Sequence, residues 1–258
     1  MKKKIRFLAK ITFWSALAAL VYLPISSRVT RKLHHYKDPD IEAYVQKNLE
    51  QIIEQQEKKI GITYPTERPQ IEYTFQEEDI SIGVVGLYDY AKDTIYLPSG
   101  ILTTPKWDFG DFIATVGTFN RTAGVKRTLD HELAHFYCDK IREKALGKNY
   151  HHKIFLFIPE EAIANLLINE GIAEYVKNKM NGEEEKAISL ERWPLSVEQF
   201  SNYEIYQGGY AVVKPIIDQY GEKGIQFLLF NIPTPKEIFT PKEYQQRILK
   251  DLAKLYAL

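Results

Sequence analysis

Disulfide bonds, an excess of either charge and internal repeats are all missing from this chain of 258 residues. Its one cysteine, Cys138, excludes an intrachain disulfide, so the fold must be held together by its core, with or without a metal. The 34 basic and 34 acidic residues cancel, and nothing in this balance indicates nucleic-acid binding. With no repeat and no low-complexity tract, the function must be inferred from motifs.

Histidine is also scarce, yet two of the six histidines stand four residues apart in His131-Glu132-Leu133-Ala134-His135. At these residue frequencies, such a pattern is expected by chance roughly 0.02 times. On a helix, positions i and i+4 share a face, so both imidazoles can bind one zinc ion about 2.0 to 2.1 Å away. Glu132 lies about 100° round the helix, where it can act as a general base. The motif predicts zinc-dependent hydrolysis, and its apolar flanks argue against a surface helix with two solvated histidines.

A catalytic zinc site needs a third protein ligand and an open position for water. The helix predicted from Pro159 to Met180 offers Glu170 and Glu174, again at i and i+4. We expect Glu170 to bind the metal and Glu174 to accept a hydrogen bond from the far ring nitrogen of a ligating histidine. Gly171, which costs about 1 kcal/mol relative to Ala inside a helix, predicts close approach of another backbone, such as the His131 helix. The alternative for the two glutamates is a solvated helix face.

The His131-Glu132-x-x-His135 motif, followed by Glu170-Gly-x-Ala-Glu174-Tyr, resembles the gluzincin zinc metallopeptidases, in particular the bacterial peptidase MA-like families, distant relatives of thermolysin. The resemblance implies that His131, His135 and Glu170 bind Zn2+ and that Glu174 supports a ligand. It implies that Glu132 takes a proton from a metal-activated water and passes it to the leaving amine. Thirty-four residues separate His135 from Glu170, more than in the thermolysin pattern, which weakens the thermolysin analogy more than the general gluzincin one.

Two short strand segments, from Gly86 to Asp89 and from Thr94 to Pro98, surround an Ala91-Lys92-Asp93 turn upstream of the motif. In metallopeptidases of this type, the corresponding strand is a sheet edge to which an extended substrate adds by β-pairing. The resemblance implies that role here. The alternative is an ordinary hairpin.

The stretch from Tyr203 to Gly221 resembles the helix that follows the glutamate helix in these peptidases. A tyrosine or histidine there usually donates a hydrogen bond to the developing oxyanion. The resemblance implies Tyr210 as this catalytic residue, with Tyr206 as the alternative. Because the chain has 17 tyrosines, either of them can equally be a packing residue.

The N terminus places several lysines before an apolar run from Ile11 to Ile25. A basic segment before a short apolar run is typical of an export signal, and the run is shorter than the ~20 residues of a typical membrane span. No small-x-small cleavage site follows the run. We therefore predict a signal or membrane anchor with its juxtamembrane stretch at 1–35 and one extracytoplasmic zinc metallopeptidase domain at 36–258, with a removed signal peptide as the alternative.

The order of elements predicts an α+β fold, in which a small N-terminal mixed sheet and the active-site helix precede a mainly helical C-terminal part. The resemblance implies that this fold is zincin-like. Cys138 is expected to be a buried thiol and not a metal ligand. The predicted elements are a strand over 71–75 and helical segments over 40–59, 122–146, 201–230 and 242–255, with Gly61 and Gly147 ending the first two helices.

Three functions agree with these observations. The first is an anchored or exported zinc peptidase that acts on peptides or proteins, and the second is a catalytically silent scaffold or binding protein. The third is a zinc hydrolase that cleaves a non-peptide amide. The first is favoured because His131, Glu132, His135 and Glu170 are all present, whereas loss of activity usually removes at least one of them. The sequence makes no prediction of oligomeric state.

Overall fold

The computed structural model describes residues 39–74, 86–98, 121–147, 159–183, 190 and 193–256. Two compact units are distinguished, and the larger comprises Ala43–Glu72, Gly86–Leu97 and Asn120–Leu258. The smaller comprises Met1–Glu42, Tyr73–Val85 and Pro98–Phe119, and few of its residues are described. The anchor predicted at 1–35 lies outside the described residues. Within them, no helix combines the length and the apolar character needed to cross a membrane.

Helices dominate the described parts of the chain, and a small mixed sheet precedes the longest helix. In chain order, the elements begin with α1 (Pro39–Ile60), β1 (Gln70–Thr74), β2 (Leu87–Asp89), β3 (Thr94–Pro98), α2 (Arg121–Leu146) and α3 (Pro159–Asn181). They continue with a π-helical turn (Glu204–Gly208), α4 (Gly209–Tyr220), α5 (Glu222–Phe230) and α6 (Pro241–Leu255), with 3-10 turns at Val197–Gln199 and Glu237–Phe239. This arrangement is compatible with the predicted α+β class.

Glycines end the first two helices, as predicted. Gly61 has a φ of 77° and Gly147 a φ of 85°, the left-handed region that glycine enters without steric cost. The N–H of Gly61 donates to the carbonyl of Glu57 over 2.9 Å, and that of Gly147 to the carbonyl of Glu143 over 2.8 Å. These bonds satisfy carbonyl groups that a helix end leaves without partners.

The two predicted strand segments are present and pair as a hairpin. The sheet has the order β1-β3-β2, and β2 pairs with β3 in antiparallel register, with Tyr88 opposite Ile95. The turn between the strands brings Asp93 to a φ of 53°, a conformation that Asp tolerates better than most residues. The N–H of Ala91 donates to the side chain of Asp89 over 2.9 Å, which closes the turn. Among the described strands, β2 therefore lies at an edge of the sheet, as the order β1-β3-β2 shows.

Helix α2 forms the centre of the core, since Leu129, Leu133 and Phe136 are fully buried on it. Its orientation is fixed by Asp130, a buried carboxylate beside the metal-site motif. Asp130 accepts hydrogen bonds from Gln56 on α1 over 2.9 Å and from Asn181 on α3 over 3.2 Å, and it forms an ion pair with Lys126. Because these partners hold Asp130 from two neighbouring helices, His131 is directed toward α3.

The backbones of α3 and α4 touch at two glycines. A Cβ atom built on Gly171 would lie only 2.5 Å from the carbonyl carbon and oxygen of Gly209. The close approach predicted from Gly171 is therefore correct, but the neighbouring backbone belongs to the helix that begins at Gly209. The suggested partner, the His131 helix, is corrected accordingly. The contact also bears on the candidate site, because Gly209 directly follows the π-helical turn that contains Tyr206.

Candidate metal centre

His131 and His135 on α2 and Glu170 on α3 converge on one point. The Nε2 atom of His131 lies 3.1 Å from Nε2 of His135 and 3.1 Å from a carboxylate oxygen of Glu170. The third side of this triangle, between His135 Nε2 and the same oxygen, measures 3.4 Å. Ligand atoms bound tetrahedrally at ~2.1 Å are about 3.4 Å apart. The triangle therefore has the dimensions of three zinc ligands.

Behind His131, the other ring nitrogen faces a second glutamate. Nδ1 of His131 lies 3.2 Å from a carboxylate oxygen of Glu174, which is almost fully buried. A carboxylate accepts hydrogen bonds only, so Nδ1 carries the proton and, in the neutral ring, Nε2 keeps its lone pair for a metal. The structure thus brings Glu174 to the position expected for it, against Nδ1 of His131.

The electrostatics of the metal-free centre are those of a site that holds positive charge. Burial opposes protonation of His131, but hydrogen bonds to Glu170 and Glu174 outweigh it and raise its pKa to about 10. Burial likewise disfavours the charged form of Glu170, but His135 and His131 lower the pKa of this carboxyl well below its usual range. The three side chains are between 10% and 17% exposed, so each of them is partly accessible to solvent. A cation in the triangle would take over the role of these protons.

Two nitrogens and one carboxylate oxygen are a donor set that suits zinc in its catalytic sites, where water or substrate takes the fourth place. In the part of the chain that the structure describes, these three residues form the group of side chains able to hold a metal ion. Cys138 is not one of them. Its side chain is buried, and burial raises the pKa of its thiol to about 12, so the thiolate that binds metals is disfavoured. This agrees with the buried thiol predicted for Cys138.

Glu132 lies next to the triangle, on the side of α2 that faces the hairpin. It is 6% exposed, and burial raises the pKa of its carboxyl. The backbone N–H of Tyr88 donates a hydrogen bond to this carboxylate. A Cβ atom on Gly86 would approach a carboxylate oxygen of Glu132 to 3.1 Å and would also contact Thr128. The edge strand therefore begins directly beside Glu132.

The side chain of Tyr88 fixes strand β2 to helix α2 through both its hydroxyl group and its ring. Its hydroxyl lies 2.9 Å from Asp139 on α2 and 2.9 Å from Asp93 in the hairpin turn. Its ring meets Phe136 edge-on, with centroids 5.9 Å apart, and Lys140 pairs with Asp93 over 2.7 Å. These contacts hold the hairpin at one height along the helix, and with it the N–H group that reaches Glu132.

Of the two tyrosines considered for the oxyanion, Tyr206 lies at the metal centre. Its ring stacks on the imidazole of His131 with centroids 5.9 Å apart and an angle of 18° between the planes, and its hydroxyl donates to Glu170. Burial and the neighbouring carboxylates of Glu170 and Glu132 raise the pKa of Tyr206, so it remains a hydrogen-bond donor. Tyr210 is 3% exposed and packs against Tyr175, with centroids 6.4 Å apart. The geometry thus favours the alternative, Tyr206, over the first choice, Tyr210.

The π-helical turn explains why Tyr206, and not Tyr210, lies at the candidate centre. In a regular helix, Tyr206 and Tyr210 share a face, so their sequence spacing does not distinguish them. The turn from Glu204 to Gly208 adds a residue, which rotates the residues before it by ~100° relative to those after it. Trp193 packs against Gly208, where a Cβ atom would lie 2.8 Å from the indole ring. A cue for this segment in the sequence is the Gly208-Gly209 pair, which permits the close approach of Trp193 to Gly208 and that of Gly171 to Gly209.

Sequence reasoning did not identify several residues around the site. Gln207 and Lys177 both contact Glu174, and Asp139 and Tyr88 hold the edge strand. Lys177 could have been noticed from its position three residues after Glu174, which places the two on one helix face. The contacts of the edge strand depend on tertiary packing and have no such cue.

No protein-family model matches this chain, and neither a curated protein nor a solved structure was found to be similar to it.

Proposed function

We propose that this protein is a zinc-dependent metallopeptidase of the gluzincin type with a zincin-like fold. The observation that supports the proposal most strongly is the triangle of His131, His135 and Glu170, with Glu132 beside it and Glu174 behind His131. The two histidines are close in sequence, whereas Glu170 comes from another helix. An accidental surface pair of histidines would not meet a partly buried carboxylate at ligand distance from a separate element.

A zinc ion bound by these residues would supply Lewis acidity, which makes a water molecule nucleophilic near neutral pH and polarises the carbonyl group under attack. Glu132 then accepts the proton of the attacking water and delivers it to the leaving amine. Burial suits Glu132 to this exchange, because it raises the pKa of the carboxyl and makes the carboxylate a stronger base. Glu174 keeps His131 in the tautomer that leaves Nε2 free.

Tyr206 is proposed to donate a hydrogen bond to the carbonyl oxygen as it gains negative charge. Its hydroxyl already lies beside Glu170, and the residue is 37% exposed. A donor held there before the reaction stabilises the charge where it develops. Since the pKa of Tyr206 is raised, the hydroxyl keeps its proton at neutral pH.

A peptide substrate is favoured over other amides by the position of strand β2. Among the described strands, β2 is an edge of the sheet. Its Leu87 is 50% exposed, and Gly86, which directly precedes the strand, lies beside Glu132. An extended peptide that paired with such an edge would pass close to the general base, with main-chain hydrogen bonds supplying part of the affinity. We propose that the hydrolysis takes place outside the cytoplasmic membrane, on the basis of the N-terminal segment predicted to be an anchor or export signal.

The test combines zinc content with cleavage by the full-length chain. We expect one zinc per chain in elemental mass spectrometry, loss of zinc in Glu170→Ala, and retention of zinc in Glu132→Gln. A library of peptides and proteins, supplemented with cell-wall fragments, provides the substrates. Glu132→Gln should lower the rate constant for cleavage by about 10² to 10⁴, the usual contribution of a general base.

Each outcome has a clear meaning. Full cleavage by Glu132→Gln, or no zinc in the folded wild-type protein, would refute the proposal. Zinc binding with cleavage of wall fragments alone would identify a hydrolase of non-peptide amides. Zinc binding without any hydrolysis of the library would favour a silent scaffold.

A further inference from the structure

The carboxylate of Glu174 has more partners than His131 alone. Nζ of Lys177 lies 2.5 Å from both oxygens of Glu174, and Nε2 of Gln207 lies 3.4 Å from one of them. The oxygen that receives Nδ1 of His131 is also held by Lys177. Each oxygen of this carboxylate therefore has two donors, and Lys177 bridges the pair.

The charge on Lys177 matters because of what happens to His131 when a metal binds. A histidine that binds metal through Nε2 is a neutral ring with its proton on Nδ1. Glu174 is 3% exposed, and a buried carboxylate without a positive neighbour is strongly disfavoured. Once His131 is neutral, the ammonium group of Lys177 supplies the positive charge in contact with Glu174.

We propose that Lys177 is a positioning residue of the metal centre, which holds Glu174 in the orientation that accepts the Nδ1–H group of His131. This inference rests on the proposed function, since it assigns Lys177 a part in metal binding. Lys177 itself contacts none of the three ligands of the candidate centre in the described contacts. It acts through Glu174, and its side chain is only 18% exposed, so water screens the pair less than an ordinary surface pair.

The competing explanation is that Lys177 and Glu174 form a helix-surface pair at i and i+3 that affects stability alone. The two explanations differ in what the loss of the lysine changes. A stabilising surface pair alters the free energy of unfolding of the metal-free protein and leaves the intrinsic zinc affinity unchanged. A positioning residue alters the zinc affinity, and does so only while Glu174 can accept the hydrogen bond.

The experiment measures the zinc dissociation constant of the full-length chain by competition with a chromophoric chelator. Lys177→Met keeps the length of the side chain and removes its charge, and we expect it to weaken zinc binding about tenfold, within the 10- to 100-fold range of such outer contacts. Lys177→Arg should restore most of the affinity. Lys179→Met, on the exposed side of the same helix, is the matched control and should bind zinc as the wild type does.

A double variant makes the test specific. In Glu174→Gln, which keeps the shape but not the charge, we expect Lys177→Met to cause no further loss of zinc affinity. Wild-type affinity in Lys177→Met, or an equal further loss in the Glu174→Gln background, would overturn the inference while leaving the proposed zinc site intact. A wild-type protein that binds no zinc would remove both. Urea unfolding of each metal-free variant verifies folding, and Lys177→Gln takes the place of the Met variant if that one does not fold.

Discussion

Gly171→Ala tests whether the contact between α3 and α4 is as close as the structure indicates. Helix propensity alone predicts that the substitution stabilises the protein by about 1 kcal/mol, because Gly171 lies inside a helix. The structure predicts the opposite. The new Cβ atom would lie 2.5 Å from two backbone atoms of Gly209 and 3.0 Å from its Cα atom.

The expected magnitude follows from the distance that must be gained. Carbon atoms pack at about 3.5 to 4.0 Å, so α3 and α4 must move apart by about 1 Å. Overpacking of a core usually costs about 1 to 3 kcal/mol, and we expect the upper end because two backbones cannot rotate away as side chains do. Subtracting the propensity gain leaves a destabilisation of about 2 kcal/mol, which lowers the Tm by roughly 4 to 8 °C in a domain of this size.

The assay is urea unfolding of the metal-free protein, followed by circular dichroism, with a chelator present throughout. Gly209→Ala, whose Cβ atom would meet the carbonyl oxygen of Leu167, should destabilise the protein as well. The two substitutions should be less than additive, because the first already separates the helices. Equal or greater stability of Gly171→Ala would show that the two backbones are not in contact and would refute the reasoning.

Two further predictions concern the site itself. Tyr206→Phe should lower kcat about 10²- to 10³-fold with zinc content unchanged, as loss of an oxyanion donor does, whereas Tyr210→Phe should leave kcat near the wild-type value; equal losses in both would contradict the assignment. Burial opposes the charge on His131, but Glu170 and Glu174 raise its pKa to about 10 in the metal-free protein. The resulting stability is present below the unfolded pKa of ~6.5 and is lost as the pH rises toward 10. With a chelator present, urea unfolding should therefore show lower stability at pH 9 than at pH 6, and His131→Asn should remove this difference. Zinc affinity should change in the opposite direction and increase with pH, because the ligands lose protons.

The parts of the site that lie within one helix were predictable from the sequence. The spacing of His131 and His135, and that of Glu170 and Glu174, fixes which side chains share a face, because helix geometry alone decides it. The ends of α1 and α2 were predictable for a similar reason, since a glycine at a left-handed φ stops a helix locally. The hairpin also rests on local turn chemistry. All of these are short-range features, and the α+β class follows from their order.

The remainder depends on contacts between elements. Tyr206 and Tyr210 could not be distinguished, because a π-helical turn changes the helix phase and is stabilised by tertiary contacts such as that of Trp193 with Gly208. The neighbour of Gly171 was predicted wrongly because it, too, depends on contacts between elements. A glycine indicates that something approaches, but the identity of the approaching backbone is decided by how three helices pack.

The position of Glu132, the proposed general base, follows from the way α2 divides its surface. Residues 131 and 135 face α3, while Glu132 and Phe136, one position further along the chain, face the hairpin. A shift of one residue turns a side chain by about 100°, so Glu132 is held between the three candidate metal ligands and strand β2. Under the proposed function, a substrate that paired with β2 would for this reason approach Glu132 and a bound metal together. The motif spacing would then determine more than metal binding, because it would also set the side from which an extended peptide reaches the proposed base.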